Sequence, residues 1–313
     1  MNEETTEHPG AWYYISQLLT LFGFAFFGLF FFTFVGVYFC KPFFGVDMMA
    51  DASLLNQPSN DPKVINAIRF VQMMLTFGTF GGPVLAYLKL GRMPIANFLK
   101  LNVAPGIIPA ALAILFSVVS LFFVNWMAEG NEAIRLPGFM SALEEQMRNA
   151  EKKAELMTKT LLNMQSNGEF FFNMMVVALM PAICEELMFR GLLQKIFGFW
   201  TGNMHSAIFI SAFIFSFIHF QFYVFFPRLL LGAAYGYIFW WSGSLWITIL
   251  AHFTNNGLQV LIAWMAKWNP GAKYLADTEH FPLWINLGSM IATFAVFGLL
   301  YYLRKKDNYP LPA

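Results

Sequence analysis

Three stretches decide the fold: MVVALMPAICEELMFRGLL (175–193), IFISAFIFSFIHFQFYVFF (208–226) and SLWITILAHFTNNGLQVLIAW (244–264). Each is apolar enough to cross a bilayer as a helix, yet together they carry Glu185, Glu186, Arg190, His219, His252 and Asn256. A carboxylate, imidazole or guanidinium at membrane depth costs at least ~2.5–3.5 kcal/mol on insertion scales. A cluster of them needs a compensating purpose, and the functional reading rests on these six residues.

The rest of the chain has the same character. Of 313 residues, 58% are hydrophobic and 12% charged, against about 25% charged in soluble domains, and the mean hydropathy is +0.55. This is the composition of a polytopic membrane protein. A formal net charge of +1 with no basic stripe gives no basis for nucleic-acid binding. The two cysteines, Cys40 and Cys184, lie in separate spans without metal-ligand spacing, so no disulfide is expected. Cys184 adjoins Glu185 in sequence but points about 100° away on a helix, and is read as a small apolar packing residue. The first apolar run follows an acidic flank and exceeds a signal-peptide core, so a retained span is expected.

Apolar segments at 15–39, 64–88, 107–127, 170–197, 204–225, 228–241, 244–266 and 281–302 predict an all-α bundle of about eight transmembrane helices. Arg69, near the outer end of the second, is expected to snorkel. Most of the 38 phenylalanines serve as lipid-facing filler. Segment 129–169 differs in kind, because Phe139, Leu143, Met147, Ala150, Ala154, Met157, Leu161 and Met164 recur every three or four residues between charges. That spacing predicts an amphipathic helix outside the membrane, with Ser141 and Glu144 as its capping box. The organisation expected is three N-terminal spans (1–128), the amphipathic loop (129–169), a functional core (170–266) and a last span with a basic tail (267–313).

Lys89, Arg92, Lys100, Lys195, Arg304, Lys305 and Lys306 fall on one face with both termini, which the positive-inside rule makes cytoplasmic. Trp240, Trp241 and Trp246 flank the turn between the sixth and seventh segments like interfacial anchors. With no eukaryotic targeting signal, the membrane expected is a bacterial cytoplasmic one.

Within the cluster, Glu186 and Arg190 are four apart with the acid first, the favourable order for an ion pair on one helix face. Glu185 points about 100° away and is left free. Counted from the turn at 198–204, Glu185 and His219 lie at depths of about 20 and 22 Å, so these side chains can meet. His252 lies only about 12 Å past Ser244, and matches that depth only if the turn before it sits inside the protein. His252 and Asn256 share a face of their helix. A buried carboxylate partnered by His219 suits the activation of water, and an imidazole with an amide suits an oxyanion, which together fit peptide hydrolysis. The same Glu185, His219 and His252 are also a two-imidazole, one-carboxylate zinc set, although no compact H-E-x-x-H pair is present.

The motifs E-E-x-x-x-R (Glu185, Glu186, Arg190), F-x-x-x-H (Phe215, His219) and H-x-x-x-N (His252, Asn256) occur in order, each in its own apolar segment. In this the chain resembles the CPBP family of intramembrane endopeptidases, the CAAX prenyl proteases and bacteriocin-processing or Abi proteins. The resemblance covers about a third of the chain. It implies that Glu185 and His219 activate water, that His252 and Asn256 form the oxyanion site, and that Glu186 and Arg190 give structural support. It implies a membrane-embedded or membrane-associated peptide as substrate; a metal-independent site is favoured over the zinc variant. Two non-enzymatic readings use the same residues: a proton relay in a transporter, for which no inverted repeat is visible, and a non-catalytic immunity or scaffold protein.

Overall fold

The computed structural model describes residues 9–277 and 280–304. The termini, with Lys305 and Lys306, lie outside them. Every one of the eight apolar segments is helical, and among the described residues there is no strand. Helix α1 (Ala11–Phe44) ends at Gly45, whose φ of 72° lets its N–H turn back onto the Lys41 carbonyl. Helix α2 (Pro62–Leu90) starts from an Asp61 carboxylate that accepts from the Lys63 N–H at 2.9 Å, with Pro62 in the first turn. Helices α3 (Ile107–Val119) and α4 (Leu121–Glu132) make one bent unit, and α5 (Ser141–Leu161) is the amphipathic helix. Then follow α6 (Asn167–Thr201), α7 (Met204–Phe217), α8 (Phe225–Ser242), α9 (Leu245–Met265), α10 (Pro270–Asp277) and α11 (Leu283–Tyr302).

Five stretches are individually long and apolar enough to cross a membrane: α1, α2, α6, Phe222–Ser242 and α11. The α3–α4 unit, bent by 42°, makes a sixth. The other two of the eight expected segments are helices that fall short for different reasons. Helix α7 has 14 residues, about 21 Å against a hydrocarbon core of about 30 Å. Helix α9 is long enough, but His252, Asn255, Asn256 and Gln259 dilute its apolar character. It packs on α3, α6 and α8, with His252 buried, Asn255 and Asn256 half-buried and Gln259 exposed.

Helix α1 is the opposite case: Phe22, Phe26, Phe27, Phe30, Phe31 and Phe34 are all exposed on it, as lipid-facing filler should be. It holds to α2 where Gly28 meets Gly78, an approach with no room for side chains, since a Cβ at Gly28 would run into the Gly78 carbonyl.

Two local expectations are corrected. Ser141 does not cap α5, because a 3₁₀ turn (Gly138–Met140) runs straight into the helix and Ser141 is already helical. Glu144 instead accepts from the Leu136 N–H at 2.9 Å and pairs with Arg148 at 2.8 Å. Arg69 does not snorkel. It is fully buried and donates to the carbonyls of Leu161 (2.6 Å) and Asn163 (3.0 Å), so its cation caps the C-terminal end of α5. Met157 and Leu161 complete that junction by packing on a cluster that includes Cys40, Ile68 and Val71. Both cysteines are free and buried.

Candidate active site

Helix α6 carries both acids and is irregular on either side of them, with π-helical turns at Met174–Leu179 and Leu187–Leu193. Each π turn shifts the residues beyond it around the axis. Glu186 is completely buried, and its Oε1 accepts from Arg190 Nη1 at 2.7 Å, the ion pair that four-residue spacing predicts. Arg190 also donates to the Gly232 carbonyl at 2.8 Å, and its guanidinium lies 5.1 Å from the Phe215 ring centroid.

The same Glu186 oxygen lies 2.8 Å from His252 Nδ1. A carboxylate paired with arginine can only accept, so Nδ1 carries the proton and Nε2 is left to face elsewhere. What it faces is Glu185, whose Oε2 lies 3.8 Å from Nε2.

The depth of His252 is explained by the turn before α9. Gly243, at φ 65°, lets the chain reverse, and Ser244 is 1% exposed. The Ser244 hydroxyl donates to the Val103 carbonyl at 2.6 Å and the Trp246 indole to the Leu101 carbonyl at 2.8 Å. The turn is therefore roofed by the segment between α2 and α3 and sits inside the protein, as the match with Glu185 requires.

His219 lies just past the end of α7, in a turn where Phe220 takes a φ of 52°. Its Nδ1 is 2.7 Å from the Phe215 carbonyl, which fixes the proton on Nδ1 and leaves Nε2 as an acceptor. Glu185 and His219 both line a cavity of about 880 Å³ bounded by α1, α2, α6 and the end of α7. Among the described residues no ion pair or hydrogen bond joins these two, so the imidazole nearest Glu185 is His252 rather than His219.

Asn256 is placed differently. Its Nδ2 donates to the Val177 carbonyl at 3.2 Å, and its side chain is not on the cavity wall. Pro181 has no N–H to return to Val177 four residues earlier, and the π turn lies over the same segment. The amide thus patches a break in the α6 backbone.

As a zinc set, Glu185, His219 and His252 have suitable donor chemistry. Among the described residues, however, no three His, Cys, Asp or Glu side chains gather as a group that could hold a metal ion.

Two polar groups near the site escaped the sequence reading. Arg228 interacts electrostatically with Glu185 and His219, and it donates to Gln221 Oε1 at 2.7 Å. Gln221 in turn donates to Glu151 on α5 at 3.2 Å, which ties the amphipathic helix to the His219 turn. On α2, Gln72, Thr76 and Thr79 line the cavity. The available signals were an arginine at the start of an apolar segment and polar residues at helical spacing within another.

Fold and site together define a polytopic α-helical integral membrane protein with Glu185 and His219 on the wall of a cavity and His252 beside Glu185. Residues 167–258, from the start of α6 to the middle of α9, match the family model described as type II CAAX prenyl endopeptidase Rce1-like. Over that stretch the chain is similar to the Rce1-like family, the CPBP grouping that its motifs resemble. No curated protein and no solved structure matches the chain.

Proposed function

We propose that the protein is an intramembrane endopeptidase that hydrolyses peptide bonds of membrane-associated substrates, with residues 170–266 as its catalytic core. The observation that carries this reading is the position of Glu185, a buried carboxylate on a cavity wall with His252 Nε2 at 3.8 Å and His219 on the same wall. Water held between Glu185 and His219 attacks the scissile carbonyl carbon, and its proton passes to the Glu185 carboxylate. His252, held through Nδ1 by Glu186, serves the developing oxyanion as an imidazolium, with Nε2–H as the donor. Asn256 joins it through the N–H of its amide that Val177 does not use, or acts only by holding α6 in shape. Collapse of the tetrahedral intermediate breaks the C–N bond, and the proton on Glu185 goes to the leaving amine.

The family match over α6 to α9 supports a protease in general, and the cavity that Glu185 and His219 share supports their role in activating water. The end of the bundle where Lys195 donates to the Phe98 carbonyl, next to Lys100, is assigned to the cytoplasm of a bacterial cell on charge grounds.

Mass-spectrometric mapping of new protein N-termini in membranes expressing wild type, Glu185→Gln or His219→Ala tests the reading. Termini that vanish in both variants support it, and unchanged termini overturn it. A parallel arm with 1,10-phenanthroline separates the zinc variant, which the chelator should silence, from the metal-independent one.

A further inference from the structure

The cavity has two chemically different walls. From α1, residues 15–29 contribute only apolar side chains, whereas α2 contributes Gln72, Thr76 and Thr79. These three stand at i, i+4 and i+7, on one face of α2, and line the same space as Glu185 and His219. The Thr76 hydroxyl is satisfied within its own helix by the Gln72 carbonyl at 2.9 Å. The other two are not satisfied: Thr79 Oγ1 is shielded from solvent with no hydrogen-bond partner. Gln72 is the more exposed of the two, and among the described residues its carboxamide makes no hydrogen bond. In a membrane-spanning helix such groups persist where they line a cavity that something polar fills.

An extended peptide brought into a bilayer protein carries N–H and C=O groups that must be satisfied there. A carboxamide offers both a donor and an acceptor, and a hydroxyl does the same. Gln72 and Thr79 are seven residues apart, about 10 Å along the helix, a distance covered by about three residues of extended chain. We propose that Gln72 and Thr79 form a subsite for the main-chain amides of an extended apolar peptide segment and hold it across the cavity from Glu185, with its side chains against α1. The proposal rests on the endopeptidase reading and names where that enzyme takes hold of its substrate. It lies outside residues 167–258, so it assigns a binding role to the N-terminal spans.

The test uses full-length Glu185→Gln protein in nanodiscs, so binding is read without turnover. The probe is a dansylated octapeptide of alternating leucine and alanine with an amidated C-terminus, compared with the same peptide N-methylated at three central bonds. Gln72→Leu and Thr79→Val are each expected to weaken binding of the unmethylated peptide about five- to tenfold, the scale of one hydrogen bond. Thr76→Val should leave it unchanged, and Thr79→Ser should retain it. N-methylation should weaken binding to the Glu185→Gln protein itself, a result that does not depend on how the further variants fold. Absent binding of the unmethylated peptide, equal binding of the two peptides, or a loss in Thr76→Val as large as in the others would each overturn the proposal. Undiminished cleavage by Glu185→Gln would overturn the general-base role of Glu185 while leaving the binding result to stand.

Discussion

His252 stands between two adjacent carboxylates of one helix, with Nδ1 2.8 Å from Glu186 Oε1 and Nε2 3.8 Å from Glu185 Oε2. Neighbouring residues on a helix diverge by about 100°, so two acids in a row cannot share one partner atom. An imidazole with nitrogens on two edges can serve both. The arrangement divides the pair: Glu186, locked by Arg190, holds the ring, and Glu185 keeps an oxygen at the cavity.

Loss of the Glu186 charge leaves Arg190 and His252 buried without their carboxylate. Glu186→Gln is expected to destabilise the protein by about 3–5 kcal/mol, the cost of breaking a buried pair from one side. Thermal unfolding in detergent should show it, with part of the loss recovered in Glu186→Gln/Arg190→Met.

Glu185→Gln should behave in the opposite manner. Among the described residues no ion pair to Glu185 is closer than 3.8 Å, so stability should change little, while cleavage falls about 10²–10⁴-fold as for loss of a general base. Unfolding midpoints and turnover measured on one preparation check both halves.

Asn256→Ala removes the donor to Val177, and about 1 kcal/mol of stability should go with it. If the amide also serves the oxyanion, kcat falls a further ~10²–10³-fold with KM little changed. A drop in stability without that drop in kcat confines Asn256 to support of α6.

Gly78→Val tests the seam between α1 and α2. A Cβ at position 78 would lie 2.6 Å from the Phe32 Cβ and would also meet the Gly28 carbonyl. Overpacking there should cost about 1–3 kcal/mol. Because α1 forms the apolar wall of the cavity, KM should rise in the same variant.

The docking of α5 should depend on pH through Glu151. Burial pushes its carboxyl above the usual range, against the opposing effects of the Tyr223 backbone, Arg228 and Gln221. An acid whose pKa is raised on docking binds its proton more tightly when docked, so docking strengthens as pH falls through that raised value and weakens as pH rises. Protease susceptibility of the segment before α5, followed against pH, should increase toward neutral pH. In Glu151→Gln that trend should flatten.

Much of this site is legible in the amino-acid string. Helical spacing alone pairs Glu186 with Arg190, separates Glu185 from both, and puts Glu185 and His219 at similar depth. Apolar length alone marks the helices. These are properties of one helix at a time, decided by period and rise.

Contacts between helices were not legible in that way. That Glu186 also holds His252, that Asn256 serves Val177 and that Arg69 caps α5 all depend on how far each helix is rotated and how deep it starts. The segment roofing Ser244 sets the depth of α9, and the π turns of α6 set the rotation of its acids. Sequence by itself determined a helical membrane bundle with its ionisable residues on defined faces, because hydrophobicity and periodicity act locally. Only the tertiary structure decided which faces meet, because a buried loop or one extra residue in a turn changes a partner without leaving a mark on the periodic pattern.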